Sequence, residues 1–237
     1  MRAGSTVGAF FDVDGTLCRS DIFRDLVAFR RQARRDPLFL ASVPFRGLAL
    51  LVLDQFSRVA VNHLTYSWYA GFSSAEFATW AASFQEREGR RRLLARPVEL
   101  LAQHARQGHR IVLLTGAVDL LIRPLPDLLA RATGVDACRD ARVEAVGLME
   151  KAGRFTGKLT APALAQQEKA RRARAIAQAE GLDLSASFAY GDSIADLPLL
   201  AAVGRPAAIR PDARLRAVAR RRGWPVVEAR DFLKERS

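Results

Sequence analysis

Short apolar runs alternate with helix-length amphipathic segments through most of the second half of the chain. Val7 to Phe11, Ile111 to Leu114, Ser187 to Tyr190 and Pro206 to Ile209 read as strands, with a weaker one at Val226 and Val227. That alternation predicts an α/β fold, a Rossmann-like parallel sheet core with helices on both faces. The first three strands each end in a polar, glycine-containing loop: Asp12 to Thr16, Thr115–Gly116, and Gly191 to Asp196. In open α/β sheets, sites form in the crevice outside the carboxyl ends of strands, so three loops distant in sequence can converge on one pocket.

Between Arg19 and about Ala95 the pattern changes to long helical periodicity with no convincing strand. Phe23, Phe29, Trp68, Tyr69, Phe72, Phe77, Trp80 and Phe84 recur through it. This predicts an all-helical cap inserted over residues 19–94, with a catalytic core built from 1–18 and 95–237. The aromatic residues are expected to form the cap's interior and not a ligand box. Leu38 to Leu53 is strongly apolar, yet contains Pro44, Arg46 and Gly47 and falls short of the roughly 20 residues a membrane span needs. A buried cap helix is expected there, without stable membrane insertion, lipid contact being the lesser alternative. From Val143 to Leu159, two extended runs around the turn-rich Glu150 to Arg154 predict a hairpin flap. Ala163 to Glu180 reads as an alanine-rich helix stopped by Gly181.

At 237 residues and 26.1 kDa, the chain accommodates one catalytic domain with a smaller inserted unit. Its net charge of +12 raises nucleic acid or an anionic membrane as a partner. Only four of the 37 basic residues are lysine, however, and the arginines are spread with alanine and leucine over most helices. That is a compositional bias more than a built stripe, so no nucleic acid is expected, while small anionic substrates are still drawn in. Two cysteines, Cys18 and Cys138, make neither a disulfide framework nor a metal cluster, and fit a reducing compartment. The apolar start runs straight into Asp12 and Asp14, which a signal-peptide core would not tolerate, so a cytoplasmic location is expected.

The candidate chemistry begins at Asp12-Val13-Asp14-Gly15-Thr16, where a buried strand delivers two carboxylates two residues apart. Burying one acid beside another is costly unless a cation or proton compensates. Magnesium takes oxygen ligands and keeps positions open for substrate phosphate. Asp12 can ligate it and attack phosphorus, giving an aspartyl-phosphate. Asp14 is placed as general acid for the leaving alcohol and general base for the following water. Thr115 and Gly116 follow a strand and precede a helix, whose N-terminus is a ready anion site. Lys169 offers a compact ammonium for the transferring phosphoryl group. In Gly191-Asp192-Ser193-Ile194-Ala195-Asp196, Asp192 supplies the remaining metal ligand, with Asp196 or Ser193 in support. A strand-ending Asp-x-Asp-Gly is by itself often a turn; the ordered set is what chance seldom assembles.

With these residues in this order, the chain resembles the haloacid dehalogenase-like hydrolases, within them the phosphoserine phosphatase-like branch with a helical cap. Asp12 to Thr16 looks like the first motif, Thr115–Gly116 the second, Lys169 the third and Gly191 to Asp196 the fourth. The resemblance implies that Asp12 is nucleophile and metal ligand, that Asp14 is acid/base and ligates through its backbone carbonyl, and that Asp192 is the third metal contact. Thr115, Gly116 and Lys169 would hold the phosphoryl oxygens. Lys158 is the rival for the third motif, but it lies in the flap, before the long helix. The implied activity is a magnesium-dependent phosphomonoester hydrolase acting on a small phosphorylated metabolite, phosphoserine or a related phosphorylated alcohol. Phosphoserine phosphatases carry a glutamate shortly after the first motif to read the substrate's amino group. Asp21 stands there, one methylene shorter, and serves equally well as a helix N-cap. Arg24, Arg30, Arg46 and Arg58 compete for the role of carboxylate reader. The other readings are a phosphatase for a lysophospholipid or another ester, transfer to an acceptor alcohol, and a silent basic binding protein. The last predicts an eroded catalytic acid, whereas Asp12, Asp14, Lys169 and Asp192 are all retained.

Overall fold

The computed structural model describes residues 6–20, 22–34, 36–54 and 56–229. Strand β1 (Gly8–Asp12) leads into a helical stretch: α1 (Ile22–Phe29), α2 (Pro37–Asp54), α3 (Arg58–Ser67), α4 (Ser74–Phe84) and the single turn α5 (Arg90–Arg92). Helix α6 (Ala95–Arg106), strand β2 (Arg110–Val118), a turn α7 (Asp119–Ile122), helix α8 (Leu125–Thr133) and strand β3 (Arg142–Val146) follow. A hairpin of β4 (Leu148–Lys151) and β5 (Arg154–Leu159) precedes α9 (Gln167–Glu180) and β6 (Phe188–Gly191). The chain continues through the turn α10 (Leu197–Leu200), β7 (Arg205–Ile209), α11 (Ala213–Arg222) and β8 (Val226–Val227).

Six strands form one sheet in the order β3-β2-β1-β6-β7-β8, every pairing parallel. Alternate side chains leave a strand on opposite faces, and the two faces have separate cores. Ala9, Phe11, Ile111 and Leu113 join one cluster with α6, α8 and the inserted helices. Phe10, Val112 and Leu114 join the other with α9, α10 and α11. Burial on both sides is why β1 is apolar up to Asp12.

Three element assignments need correction. Val143 begins no flap: Arg142–Val146 is an edge strand of the main sheet, and the hairpin is confined to β4 and β5. Polar Arg142 and Glu144 are tolerated because an edge strand is only half covered, and there they pair with Glu180 and Arg172. The second strand does not stop at Leu114 but runs to Val118 with a register shift. The long helix starts at Gln167, four residues later than its composition suggests, and ends at Gly181 with φ 67°, as expected of an αL cap.

The inserted helices meet the sheet through a paired neck, with Arg19 N–H donating to Arg92 O (2.7 Å) and Leu94 N–H to Leu17 O (2.9 Å). A buried ion pair between Asp25 and Arg92 (2.5 Å) reinforces it. Phe29, Phe72, Phe77 and Trp80 pack edge to face as the interior of this layer, so the aromatic stripe is core. Helix α2 departs from its expected burial: only 11% of it is buried. Phe39 and Leu50 fill what space the cap offers, and the rest of its apolar surface faces outward. The helix is started by Asp36, whose Oδ1 accepts from Phe39 N–H (2.9 Å), with Pro37 at the first helical position.

Candidate active site

The sheet register brings the predicted loops to one edge. Asp12 lies opposite Leu114 on β2, and Phe11 opposite Tyr190 on β6, so Asp12, Thr115 and Asp192 all emerge at the carboxyl ends of neighbouring strands. Asp12 and Asp192 border a cavity of about 180 Å³ to which Asp14, Gly116, Lys169 and Asp196 also contribute.

Asp12 is 3% exposed, and its two oxygens have different surroundings. Oδ1 accepts from Lys169 Nζ at 2.5 Å; Oδ2 is buried and accepts no hydrogen bond. Burial pushes this carboxyl up to about 7, against the pull of Lys169 and with a further push from Asp196 and Asp14. Lys169 occupies the first turn of α9 and also donates to Asp196 Oδ1 (2.7 Å). Burial works against its charge, but Asp12 and Asp196 outweigh that and hold its pKa above the ordinary lysine value. Lys158 is exposed on the hairpin and does not line the cavity.

Carboxylate oxygens of Asp12, Asp192 and Asp196 lie within 4.8 Å of one another. Three acids against one lysine, with an unsatisfied buried oxygen among them, are the donor set a hard divalent cation fits. The three are not equivalent. Asp196 Oδ2 accepts from the backbone N–H groups of Asp192 and Ser193 and from Ser193 Oγ, each at 3.2 Å. It therefore holds the loop and Lys169 in place. Asp192 is steered by Gly15, whose φ is 86°: a Cβ there would sit 2.2 Å from Asp192 Oδ2. Only glycine meets both demands.

Asp14 is turned away from this trio. Its Oδ1 accepts from Ser20 Oγ and its Oδ2 from Thr115 Oγ1, both at 2.7 Å. Thr115 Oγ1 in turn accepts from Ala117 N–H (2.9 Å). Thr115 and Gly116 thus lie in the irregular end of β2 and not at a helix N-terminus, because the strand runs on to Val118. Gly116 borders the cavity, and its carbonyl accepts from the Tyr66 hydroxyl of α3. Asp21 lies outside the described residues.

Sequence reasoning missed Ser20, Asn62, Tyr66 and Leu164. Asn62 and Tyr66 are one turn apart on α3, and that i, i+4 spacing was the only signal available. Of the arginines considered, Arg24, Arg30 and Arg46 do not line the cavity. Arg30 pairs with Asp36 and lies over Phe39 and Phe72, and Arg46 lies over Phe39 and Trp68. Burial holds the Cys18 thiol up at about 12, so this neighbour of the site is protonated and inert.

The family model of the haloacid dehalogenase-like hydrolase matches residues 9–201. The phosphoserine phosphatase SerB1 of Mycobacterium tuberculosis is 34% identical over 234 residues, spanning 96% of this chain and 71% of that protein. Among solved structures, a protein of unknown function from Bordetella pertussis Tohama I superposes with a TM-score of 0.77 at 27% identity, covering 94% of this chain and 98% of that one. A substrate-bound phosphoserine phosphatase superposes with a TM-score of 0.69 at 17% identity, covering 97% and 96%, a likeness of fold.

Proposed function

Because the chain belongs to the haloacid dehalogenase-like hydrolases, we propose that it is a magnesium-dependent phosphatase whose nucleophile is Asp12. The supporting observation is the asymmetry of that carboxylate, which clusters with Asp192 and Asp196: one oxygen is held by Lys169, and the other is buried without a hydrogen bond. Asp12 Oδ2 attacks phosphorus as the ester P–O bond breaks, and Asp14 gives its proton to the departing alcohol. Water then attacks the aspartyl-phosphate, Asp14 takes its proton back, and inorganic phosphate leaves with Asp12 regenerated. Lys169 and the Gly116 region hold the phosphoryl oxygens, and Thr115 orients Asp14. Asp12 and Asp192, with the backbone of Asp14, would hold magnesium, which supplies positive charge against the phosphoryl oxygens.

The substrate on this reading is a small phosphate monoester, and the name of the mycobacterial relative favours phosphoserine. Residues 19–94 act as the cap, a division supported by the paired neck at Leu17, Arg19, Arg92 and Leu94. A second reading, a longer phosphate ester such as a lysophospholipid, has one observation in its favour. A cavity of about 430 Å³ adjoins the first through Ser193 and Ala195 and is walled by Phe56. Phosphate release from a panel of phosphorylated amino acids, sugars, nucleotides and lysolipids, measured with magnesium, separates the two. Asp12→Asn is expected to lower turnover about 1,000-fold or more; native activity in that variant would end the proposal.

A further inference from the structure

Helix α2 presents the largest unpartnered apolar surface among the described residues. Leu38, Phe45 and Phe56 are 84%, 77% and 82% exposed, and Leu48, Leu51 and Val52 are exposed beside them. At 3.6 residues per turn, the exposed positions from Pro37 to Val52 span an arc of about 160°, and every one of them is apolar. The opposite side is committed to the protein: Phe39 and Leu50 are buried, and Arg46 lies over the Phe39 and Trp68 rings with its Nε donating to Ser42 Oγ (2.7 Å). A helix so divided lies along a surface and does not pass through a bilayer, since crossing would strip Arg46 from those rings.

We infer that this face of α2 docks the protein on an anionic membrane surface. Charge decides the occupant. No acidic residue occurs from Pro37 to Leu53. The π-helical turn just before the helix carries exposed Arg31 and Arg34, the latter paired with Glu76, and at the other end exposed Arg214 borders the cavity that Phe56 walls, together with Asp54 and Asp212. The whole chain carries +12, which favours anionic lipid and sets two copies of this chain against each other. The arc is also broader than the two-in-seven seam of a helix pair, and Pro44 interrupts it. An outer face of aromatic and aliphatic side chains with arginines in the turn that leads into it is the composition of an interfacial helix. Docked this way, the mouth of the second cavity lies near the lipid headgroups.

Flotation of the full chain with vesicles of phosphatidylcholine alone, or of phosphatidylcholine and phosphatidylglycerol in equal parts, tests this. Native protein is expected to float with the mixed vesicles, less so as salt rises, and to stay behind with phosphatidylcholine alone. Phe45→Asp combined with Leu48→Asp should lower binding at least about tenfold, while melting temperature and magnesium-dependent release of phosphate from p-nitrophenyl phosphate stay native. Absence of flotation, or equal flotation on uncharged vesicles, overturns the assignment. So does a lipid-free dimer that the double substitution converts to monomer, which would assign the face to a second copy.

Discussion

Lys169 Nζ lies 2.5 Å from Asp12 Oδ1, and the same ammonium reaches Asp196, so one cation fixes the nucleophile and the loop that carries Asp192. Lys169→Met keeps the side chain's length and removes its charge. Turnover is expected to fall about 100-fold, the scale of losing one preorganised electrostatic partner. The fold should lose about 3–5 kcal/mol, because two buried carboxylates are left uncompensated. Phosphate release and urea unfolding measure the two effects separately; near-native turnover would remove Lys169 from phosphoryl binding.

Magnesium should stabilise the folded chain as well as activate it. Its proposed site joins oxygens that repel one another within 4.8 Å. Saturation to a hundredfold excess over the dissociation constant raises stability by about 2.7 kcal/mol. The melting temperature should therefore rise with magnesium, return with EDTA, and stay flat in Asp192→Asn. A magnesium-independent melting curve for the native chain would argue against a metal between Asp12 and Asp192.

Gly15→Ala and Gly153→Ala separate backbone strain from loss of the site. Both glycines have positive φ, 86° and 71°, but a Cβ at Gly153 meets nothing within 4 Å, whereas at Gly15 it collides with Asp192. Gly153→Ala should cost about 1–2 kcal/mol of stability and leave turnover unchanged. Gly15→Ala should cost more and also abolish magnesium-dependent activity. Equal activity in the two variants would mean that Asp192 does not need the position Gly15 gives it.

Much of this was legible beforehand because burial on both faces of the sheet leaves a mark. Phe10 and Phe11 are both apolar although they face opposite cores, and the loops after such strands stand out by polarity. Asp12, Lys169, Asp192 and Asp196 come together as their order along the chain suggested. Strand β3 was read as part of the flap because Arg142 and Glu144 break the continuous apolar run that marks the central strands. Helix α2 misled for the opposite reason: a nearly uniform apolar run predicts burial, and nothing local shows that the cap has too little surface to cover it. Asn62 lines the cavity and Tyr66 bonds the Gly116 carbonyl beside it only through the way α3 lies against β2, which no local pattern encodes.

The last prediction concerns acid, through His104 on α6. Its Nε2 is 2.8 Å from the Tyr190 hydroxyl on β6 and its Nδ1 is 2.7 Å from His109 Nδ1. Phe11 and Phe188 close the remaining sides. Burial, then the neighbouring His109, pushes His104 down to about 4; His109 is lowered too, by burial and by Arg205. Both folded values lie below the unfolded histidine value near 6.5. Between those limits the unfolded chain binds more protons, so stability is complete above about pH 6.5 and falls as pH drops toward 4. With solvent screening allowed for, the native chain should lose roughly 1 kcal/mol between pH 7 and pH 5 beyond what other groups contribute. His104→Gln keeps a polar partner for Tyr190 without the titration, so its unfolding free energy should fall less steeply over that interval. Parallel curves for the two proteins would show that His104 is charged in the folded state and that the contact with Tyr190 tolerates the proton.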